Sequence, residues 1–279
     1  MTDQTVAIYC LVADLCRHLR PQSASAHRQR RLSDAQILTT ALLAARFFGG
    51  NLTLAQQYLQ THHQQAKLDK SGFCRRLHAL TDVLHTLFHT LGRHLKTLNT
   101  SAQYVIDSAP VAVCDNIRIR RSRLVQGEPW RGYAASKRRY YYGVKLHLLV
   151  TADGLPVELC FTPASVNDVT ALQGWALDLP AGSVVYADAA YTDYQLEDAW
   201  LQAEGVRLRA DRRNGSQRPH EPAVDCLIGL HRKAVETTFS GITQLLPRKI
   251  HAVTQAGFLL KLLLFVFAYT IRTWLEERA

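Results

Sequence analysis

Two aspartates in this chain each follow a short apolar run, and this placement suggests a cation site. Asp107 follows residues 104–106, and Asp188 follows residues 184–187, both of which have the composition of a buried strand. A carboxylate at the end of a buried strand is costly to desolvate unless it holds a cation or a partner. We therefore predict that Asp188 is a metal ligand and that Asp107 is its companion.

A third carboxylate, Glu236, is predicted from a C-terminal helix in which Val235 and Phe239 mark the apolar face. Cleavage of a phosphodiester by a two-metal mechanism needs Mg²⁺ ions about 4 Å apart. Magnesium prefers hard oxygen ligands and keeps several waters, so a few carboxylates are enough. Without metal the acids repel one another, and at least one pKa is expected to rise.

The elements that position these acids follow one another from residue 104 onward as three strands, a helix, a strand, a helix, a strand and a helix. This order matches an α/β fold with an RNase-H-like mixed five-stranded sheet flanked by helices. The first and fourth strands of that sheet are neighbours. Asp107 and Asp188 are therefore expected to stand side by side.

The first 98 residues show only helical patterns. A helix over residues 5–19 precedes one that Ser33 opens with a capping box, and Thr53 can cap the next helix after a Gly-containing turn. A long amphipathic helix is expected over residues 71–98. The paired helices fit a helix-turn-helix or any small bundle equally well. We predict a helical DNA-binding region at 1–98 and a catalytic domain at 99–279.

The net charge of +10 over 279 residues favours an anionic partner, of which nucleic acid is the commonest. A merely basic soluble protein is the alternative. Basic groups interleaved with aromatic residues can clamp phosphates and stack on bases. The predicted DNA-binding residues are Arg75, Arg76, Arg118, Arg120, Arg121, Arg123, Lys137, Arg138, Arg139, Lys145, Arg212, Arg213 and Arg232.

The cysteines and apolar segments favour a cytoplasmic protein. The six cysteines are scattered without a Cys-x-x-Cys pair, which argues against a disulfide framework or a zinc ribbon. The N-terminus lacks the pattern of a secretory signal. The apolar run 258–271 is shorter than a membrane span and contains Lys261, so we expect a buried helix.

Four motifs resemble those of DDE transposases from bacterial insertion sequences. They are Tyr-Val-Ile-Asp-Ser-Ala-Pro at 104–110, Tyr-Gly-Val-Lys-Leu-His-Leu-Leu at 142–149, Tyr-Ala-Asp-Ala-Ala-Tyr at 186–191 and Arg-Lys-Ala-Val-Glu-Thr-Thr-Phe at 232–239. The chain is most similar to the insertion-sequence family nine-eighty-two. Residue by residue, Asp107, Asp188 and Glu236 fall on the family's catalytic triad.

The resemblance implies a DNA transposase that cuts at the ends of an insertion sequence and transfers the strand into target DNA. It implies two Mg²⁺ ions, for which Mn²⁺ substitutes. The expected partners are double-stranded DNA, as terminal inverted repeats and target, and a second copy of the chain in the DNA complex. The expected location is the bacterial cytoplasm, with the nucleoid.

The surroundings of Glu236 match a signature of related transposases only in part. Arg232 stands at the expected arginine, four residues before Glu236. Gly229 replaces a tyrosine and Thr243 replaces a lysine, so the DNA-end contacts of those two positions do not carry over.

Two other polar residues have more than one interpretation. Asp168 is best interpreted as a first-turn residue that complements a helix dipole rather than as a catalyst. His147 lies in a strand and either points toward the site or is a polar core residue, and we favour the core.

Two further functions compete with transposition. An RNase-H-like nuclease would cut without joining, and only an assay of strand transfer separates it from a transposase. A DNA-binding regulator on an inactive fold is disfavoured because all three acids are present. A purely structural helical bundle explains neither the charge nor the acids.

Overall fold

A computed structural model describes residues 1–19, 31–115, 122, 124–134 and 138–276. Its helices are Thr2–Leu19 (α1), Asp34–Phe47 (α2), Leu52–His63 (α3), Lys70–Ala79 (α4), Thr81–Leu98 (α5), Asp168–Gln173 (α6), Tyr194–Ala203 (α7), Pro222–Leu245 (α8) and Gln255–Glu276 (α9). Its strands are Gln103–Asp115 (β1), Arg131–Ala134 (β2), Arg139–Thr151 (β3), Pro156–Pro163 (β4), Val184–Ala187 (β5) and Arg207–Ala210 (β6).

The strands form one mixed sheet with the order expected of an RNase-H-like core. β3 pairs antiparallel with β1, β2 and β4, whereas β5 pairs parallel with both β1 and β6. The core order is therefore β4-β3-β1-β5-β6. Apolar strand residues such as Val105, Leu148 and Val185 are fully buried, so the sheet forms the centre of its compact unit. The predicted fold class is confirmed.

The sheet departs from the expected five strands in two places, and six strands are seen among the described residues. β1 continues past Asp107 to Asp115, although Pro110 lies within it. Beyond Ile106, β1 pairs only with β3 in the described part of the chain, and such an edge tolerates proline. β2 is short and contains Gly132, so its sequence lacks a clear strand pattern.

The N-terminal helices confirm the expected pair around a glycine turn. Ser33 and Gln36 form the predicted capping box of α2, while Asn51 rather than Thr53 caps α3. Gly49 and Gly50 take positive φ angles of 54° and 82° in the turn, which glycine adopts without steric cost. α2 and α3 meet at 111°, within the range of helix-turn-helix pairs.

The expected long helix over residues 71–98 is in fact two helices, α4 and α5. The break falls at Leu80, whose backbone leaves the helical region with φ −100° and ψ 9°. The apolar spacing continues across the break, because Leu77, Leu80 and Leu84 are all buried. The hydrophobic pattern therefore did not reveal this break.

Helix α9 is long and apolar enough to cross a membrane by length and composition, with a mean hydropathy of 1.6. The described pair α2 and α3 passes the same test only if the bent pair counts as one span. Of the apolar window of α9, 67% is buried inside the protein, as in the core helices of soluble proteins. Phe267 of α9 packs edge-on against Phe88 of α5, with ring centroids 5.6 Å apart. The expected buried helix is observed.

The chain forms two compact units. The first comprises Met1–Leu91, Gly241–Ala252 and Ala256–Ala279, and the second comprises Gly92–Ser240 and Val253–Gln255. The first unit thus contains α9, although this helix lies within residues 99–279, which were predicted to form the catalytic domain. The hydrophobic surface of α9 is completed by N-terminal helices, a long-range packing that cannot be read from chain order. The functional division at residue 98 stays a prediction.

One buried ion pair ties three segments of the sheet unit together. Lys96 of α5 donates to the Glu158 carboxylate on β4 and to the carbonyl oxygen of Asp178. The side chains of Lys96 and Glu158 are only 5% and 7% exposed. The N–H of Asp178 also donates to Glu158 over 3.2 Å. This contact anchors the loop that leads into β5.

We expect Glu158→Ala to lower the free energy of unfolding by about 3–5 kcal/mol, because it leaves the Lys96 ammonium buried and unpaired. Urea unfolding followed by circular dichroism measures this change. Asp198→Asn breaks an exposed ion pair with Arg218 and serves as the control, with little expected effect. The double variant Lys96→Met with Glu158→Leu should recover much of the loss. Equal, small effects in all variants would contradict the prediction.

Candidate active site at the strand ends

The two aspartates lie on neighbouring parallel strands. Ile106 of β1 is in register with Ala187 of β5, so the next residue on each strand is Asp107 or Asp188. Adjacent strands are about 4.8 Å apart. Asp188 also accepts a hydrogen bond from the N–H of Ala189 and caps the 3₁₀ turn Ala189–Tyr191. The expected juxtaposition of the two segments is observed.

The protonation of Asp107 is perturbed by its surroundings. Burial raises its pKa from 3.8 to about 6, because a charged carboxylate is poorly solvated there. The N–H of Ser108 donates to it over 2.7 Å and, with Arg232, opposes the rise of the pKa. The charges of Asp188 and Asp168 add to the rise. A cation at this position would offset both the desolvation cost of the charged Asp107 carboxylate and its repulsion by the neighbouring carboxylates.

A third aspartate, Asp211, follows β6 at the same edge of the sheet. Its N–H donates to the carbonyl oxygen of Ala187 over 2.9 Å, which continues the β5–β6 pairing. Asp211 was not among the predicted site residues. The β6 sequence Arg-Leu-Arg-Ala alternates apolar residues with arginines and lacks the continuous apolar run that precedes Asp107 and Asp188, so the same local signal was absent.

Arg232 of α8 reaches across to two of these carboxylates. Its terminal nitrogens lie 3.4 Å from Oδ2 of Asp188 and 3.7 Å from Oδ2 of Asp211. Its Nε is buried and has no hydrogen-bond partner among the described residues. The guanidinium therefore serves as the cation nearest to the strand-end carboxylates, and it is held by long contacts.

Glu236 lies one helical turn beyond Arg232 on α8. Residues four apart share a helix flank, so Glu236 faces the same side as Arg232. Its side chain is exposed and forms no hydrogen bond or ion pair with a described residue. Over the described ranges, no group of three or more His, Cys, Asp and Glu side chains converges closely enough to hold a metal ion. Glu236 is thus near the strand ends but not gathered with the aspartates.

Helix α8 is fixed on the sheet by contacts on its opposite flank. His231 stacks on Tyr186 of β5, with ring centroids 4.4 Å apart and an angle of 16°. Thr238 donates to the carbonyl oxygen of Gly154 over 2.7 Å. Val235 is fully buried between these contacts. This packing sets the position of Arg232 and Glu236 relative to the strands.

Asp168 approaches the site from the first turn of α6, as its position in the sequence suggested. It also accepts hydrogen bonds from Ser108 Oγ at 2.9 Å and from Lys145 Nζ at 3.1 Å. Lys145 donates in addition to the carbonyl oxygen of Val166 at 2.8 Å. The lysine predicted to contact DNA is therefore engaged with α6, and Asp168 has a long-range role that sequence reasoning missed.

His147 is a buried polar core residue, which was the favoured interpretation. Its ring nitrogens lie 3.3 Å from the Tyr191 hydroxyl and 2.9 Å from Thr162 Oγ1. Burial lowers the pKa of His147 from 6.5 to about 4. Burial also raises the pKa of Tyr191 well above its usual value. These residues form an uncharged layer beneath the aspartates.

A cleft of about 600 Å³ opens beside the strand ends. Arg213 on its wall is exposed and has no side-chain partner among the described residues. The ring of Tyr194, also on the wall, contacts the guanidinium groups of Arg212 and Arg218, whose Cζ atoms lie 5.1 and 4.9 Å from the ring centre. The cleft is lined by Asn167, Asp168, Val169, Ala189, Ala190, Thr192, Tyr194, Arg213, Asn214, Gly215 and Ser216. A polar cleft of this size, with Arg213 on its wall, can hold a phosphodiester strand.

The β2–β3 hairpin presents exposed aromatic and basic groups. Tyr133 and Tyr140 are 55% and 47% exposed, with ring centroids 5.0 Å apart. The Arg131 guanidinium lies 4.4 Å from the centre of the Tyr140 ring. Arg138 and Arg139, both predicted to contact DNA, are exposed at the start of β3. Such a surface suits stacking on bases and contact with phosphates.

The remaining predicted DNA-binding residues fall into three groups. Arg75 is exposed on α4. Arg76 donates to the Leu32 carbonyl oxygen and to Asp34, and Arg212 forms a two-point ion pair with Glu197, so both guanidinium groups already stabilise the protein. The residues that lie outside the described part of the chain are Arg118, Arg120, Arg121, Arg123 and Lys137.

Comparison with known proteins supports the same reading of these strand ends. Residues 97–250 match the family described as Transposase DDE domain, which is more than half of the 279 residues. No curated protein and no solved structure shows significant similarity to the chain. Proteins with this domain act on DNA in transposition and recombination, and they generally use divalent metal ions. The resemblance to DDE transposases is confirmed, while membership of the nine-eighty-two branch stays a prediction. The chain belongs to the transposase DDE domain family.

Proposed function

We propose that the protein cuts DNA at the ends of an insertion sequence and joins the freed 3′ end to target DNA. The observation that carries this proposal is the placement of Asp107 and Asp188 at adjoining ends of parallel strands within the matched domain. Glu236 is proposed as the third member of the site, from the flank of α8 that also carries Arg232.

The oxygen ligands of this site fit magnesium. Mg²⁺ is usually held by one or two carboxylates, with waters and substrate phosphate completing its shell. We propose that Asp107, Asp188 and Glu236 hold two Mg²⁺ ions and that Mn²⁺ substitutes. When bound, such ions activate the attacking oxygen and stabilise the leaving oxygen.

The chain's own residues have defined roles around that chemistry. Asp107 must lose its proton before it can ligate, and its pKa of about 6 places that loss below neutral pH. The start of α6 is held against β1 and β3 by the hydrogen bonds that Asp168 accepts from Ser108 and Lys145. His147 stays uncharged beneath the site because its pKa is about 4. The site is thus built on rigid, buried elements.

The DNA is proposed to bind along exposed basic groups. In the sheet unit these are Arg213 in the cleft and Arg138, Arg139 and Tyr140 on the β2–β3 hairpin. The arginines of residues 118–123 and Lys137 are included from the sequence alone. In the helical unit, α3 exposes Leu54 and a row of polar side chains, as a recognition helix would.

The assembly and location follow from the same proposal. We propose a homodimer in the DNA complex, as the resemblance to DDE transposases implies, so that each end of the element meets one copy of the site. The protein is proposed to act in the bacterial cytoplasm at the nucleoid. The helical region 1–98 is proposed to bind DNA and residues 99–279 to carry out catalysis.

A cleavage and joining assay tests the function. Labelled DNA that carries the element's own ends is incubated with Mg²⁺ and either the wild type or Asp188→Asn. Metal-dependent cutting with joined products, lost in the variant, is the expected result. Cutting without joining, even with a pre-cut 3′ end, would indicate a nuclease instead. Binding without cutting in any divalent metal would indicate a regulator on an inactive fold.

The DNA surface makes a separate prediction about salt. We expect Arg213→Gln to weaken DNA binding and to lower the slope of log affinity against log salt by about one, since one phosphate contact is lost. Tyr140→Ala is expected to weaken binding by about 1–3 kcal/mol for a stacked base and to leave the slope unchanged. Fluorescence anisotropy over a range of salt concentrations measures both. An unchanged slope for Arg213→Gln would exclude a phosphate contact in the cleft.

A further inference from the structure

Arg232 is held by longer contacts than Arg212 and Arg218, two other arginines of the sheet unit. Arg212 donates two hydrogen bonds to Glu197, of 2.6 and 2.7 Å. Arg218 donates two to Asp198, of 2.8 and 2.9 Å. The contacts of Arg232 to Asp188 and Asp211 are 3.4 and 3.7 Å. Charge-assisted hydrogen bonds of full strength are about 2.7–2.9 Å long. Arg232 is therefore held loosely.

A second observation indicates that Arg232 is not satisfied where it lies. Its Nε is buried without a hydrogen-bond partner in the described part of the chain, as are the Nε atoms of Arg131 and Arg212, and for Arg232 this adds to the long contacts of its terminal nitrogens. An unmade bond of this kind carries the full cost of desolvating the group. The side chain as a whole is still 28% exposed, so it has room to turn toward solvent or a ligand. Moving the Arg232 side chain to a different position would therefore cost little interaction free energy.

The position that Arg232 occupies is also where a metal cation is needed. The guanidinium faces the outer oxygen of Asp188, and its charge lowers the pKa of Asp107 against the effect of burial. One positive charge thus offsets the repulsion between carboxylates at the strand ends. A divalent ion bound to Asp188 would meet that charge directly, and the two cations would compete.

We propose that Arg232 is a resident counter-ion that a divalent metal must displace from Asp188, and that Asp211 holds Arg232 after this displacement. The inference rests on the proposed metal site. Asp211 suits the role because it follows the neighbouring strand β6 and already shares the guanidinium. Asp211 is thus a positioning residue, and Arg232 becomes available to DNA phosphate only when metal is present.

The two variants Arg232→Gln and Asp211→Asn have opposite expected effects on metal affinity. With DNA absent, electron paramagnetic resonance measures free Mn²⁺ during a titration and gives its dissociation constant. Arg232→Gln should bind Mn²⁺ about tenfold more tightly, because the competing cation is gone. Asp211→Asn should bind Mn²⁺ more weakly, because Arg232 then rests on Asp188 alone.

The double variant decides how Asp211 acts. If Asp211 works through Arg232, adding Asp211→Asn to Arg232→Gln changes the affinity no further. A further loss in the double variant would show that Asp211 itself ligates the metal and would overturn the proposed role. Asp211→Glu should restore the wild-type affinity, because it can still accept Arg232.

Charge-matched controls separate this mechanism from a general field effect. Arg207 is exposed on β6 at the end of the strand away from Asp211, and Arg207→Gln removes the same charge. Asp225→Asn removes an exposed carboxylate near the start of α8. Both should leave Mn²⁺ affinity within about twofold of the wild type. A tightening in Arg207→Gln equal to that in Arg232→Gln would overturn the inference.

Asp188→Asn distinguishes failure of this inference from failure of the proposed function. If wild-type binding of Mn²⁺ is absent, or undiminished in Asp188→Asn, the proposed metal site fails and this inference fails with it. If binding is lost in Asp188→Asn but unchanged in Arg232→Gln, only the counter-ion role is overturned. Thermal unfolding of each variant confirms that the protein remains folded during the titration.

Discussion

Glu236→Gln is expected to abolish DNA cleavage and to leave the free energy of unfolding unchanged. Glu236 is exposed and contacts no described residue through a hydrogen bond or ion pair, so its loss removes nothing from the folded state. A metal ion contributes several kcal/mol to stabilisation of the transition state. Because each 1.36 kcal/mol is a factor of ten, loss of a ligand should slow cleavage about 10³-fold or more.

The separation of activity from stability is what makes Glu236 informative. Asp188 contacts Arg232 and Ala189, so a variant at this position changes the free energy of unfolding as well as the cleavage rate. Asp225→Asn is the matched control, because Asp225 is exposed on the same helix as Glu236. Steady-state cleavage and urea unfolding of the two variants give both quantities. Full cleavage by Glu236→Gln would remove this residue from the site, and a loss of stability would reveal a packing role instead.

The exposure of Glu236 bears on how the site is completed. Asp107 and Asp188 are fixed by backbone pairing of β1 with β5, whereas Glu236 depends on the placement of α8. Glu236 lies on the flank of α8 that carries Arg232, and in the proposed site a bound cation would draw its carboxylate toward the strands. We therefore expect Glu236→Gln to weaken Mn²⁺ binding less than Asp188→Asn does.

The strand ends were predictable from local sequence because of a simple physical rule. Apolar runs that stop at Asp107 and Asp188 predict carboxylates at the ends of buried strands, where desolvating a charge is costly without a cation or a partner. Strand order then followed from the alternation of strands and helices, and this order placed the aspartates together. The same rule did not point to Asp211, because Arg207 and Arg209 interrupt the apolar residues before it.

Other features depended on contacts that no local pattern contains. The division of α4 from α5 at Leu80 keeps the apolar spacing intact, so periodicity predicted one helix. The interactions of Lys145 with Asp168 and of Arg212 with Glu197 join residues that are distant in the chain, and each converts a basic residue predicted to contact DNA into a stabilising one. Charge in a sequence indicates a partner of opposite sign, but it does not tell whether that partner is DNA or the protein itself.

We expect Asp107→Asn and His147→Gln to change the pH dependence of the free energy of unfolding in opposite directions. The folded-state pKa of Asp107 is about 6, above its ordinary 3.8, so the folded protein binds the proton more tightly than the unfolded chain. The stabilising effect of that proton is present below pH 4 and is lost as pH rises through 6. Above that pH the charged Asp107 costs about 3 kcal/mol, and Asp107→Asn should remove most of this cost.

His147 has the opposite sign. Its folded-state pKa is about 4, below its ordinary 6.5, so the unfolded chain binds the proton more tightly. The folded state therefore loses about 3 kcal/mol as pH falls from 6.5 to 4. In the wild type, the effects of Asp107 and His147 oppose each other over this range.

Each variant should expose the contribution of the other residue. Relative to the wild type, Asp107→Asn should be more stable at pH 8 and no more stable at pH 4. Its stability should therefore fall more steeply on acidification, because the titration of Asp107, which opposes that of His147, has been removed. His147→Gln should show the reverse, with a gain relative to the wild type as the pH falls. Urea unfolding at intervals between pH 4 and 8 measures both slopes, with Asp225→Asn as the control.

Measurements of Asp107→Asn and of Mn²⁺ binding over the same pH range also test the proposed metal site without any enzyme assay. A divalent ion requires the deprotonated form of Asp107, so the affinity for Mn²⁺ should fall as pH drops through about 6. If Asp107→Asn stabilises the protein equally at pH 4 and pH 8, the gain does not arise from a buried charge. In that case the strand end would tolerate an ionised carboxylate without a metal, and the physical reason to place a cation beside Asp107 would be gone.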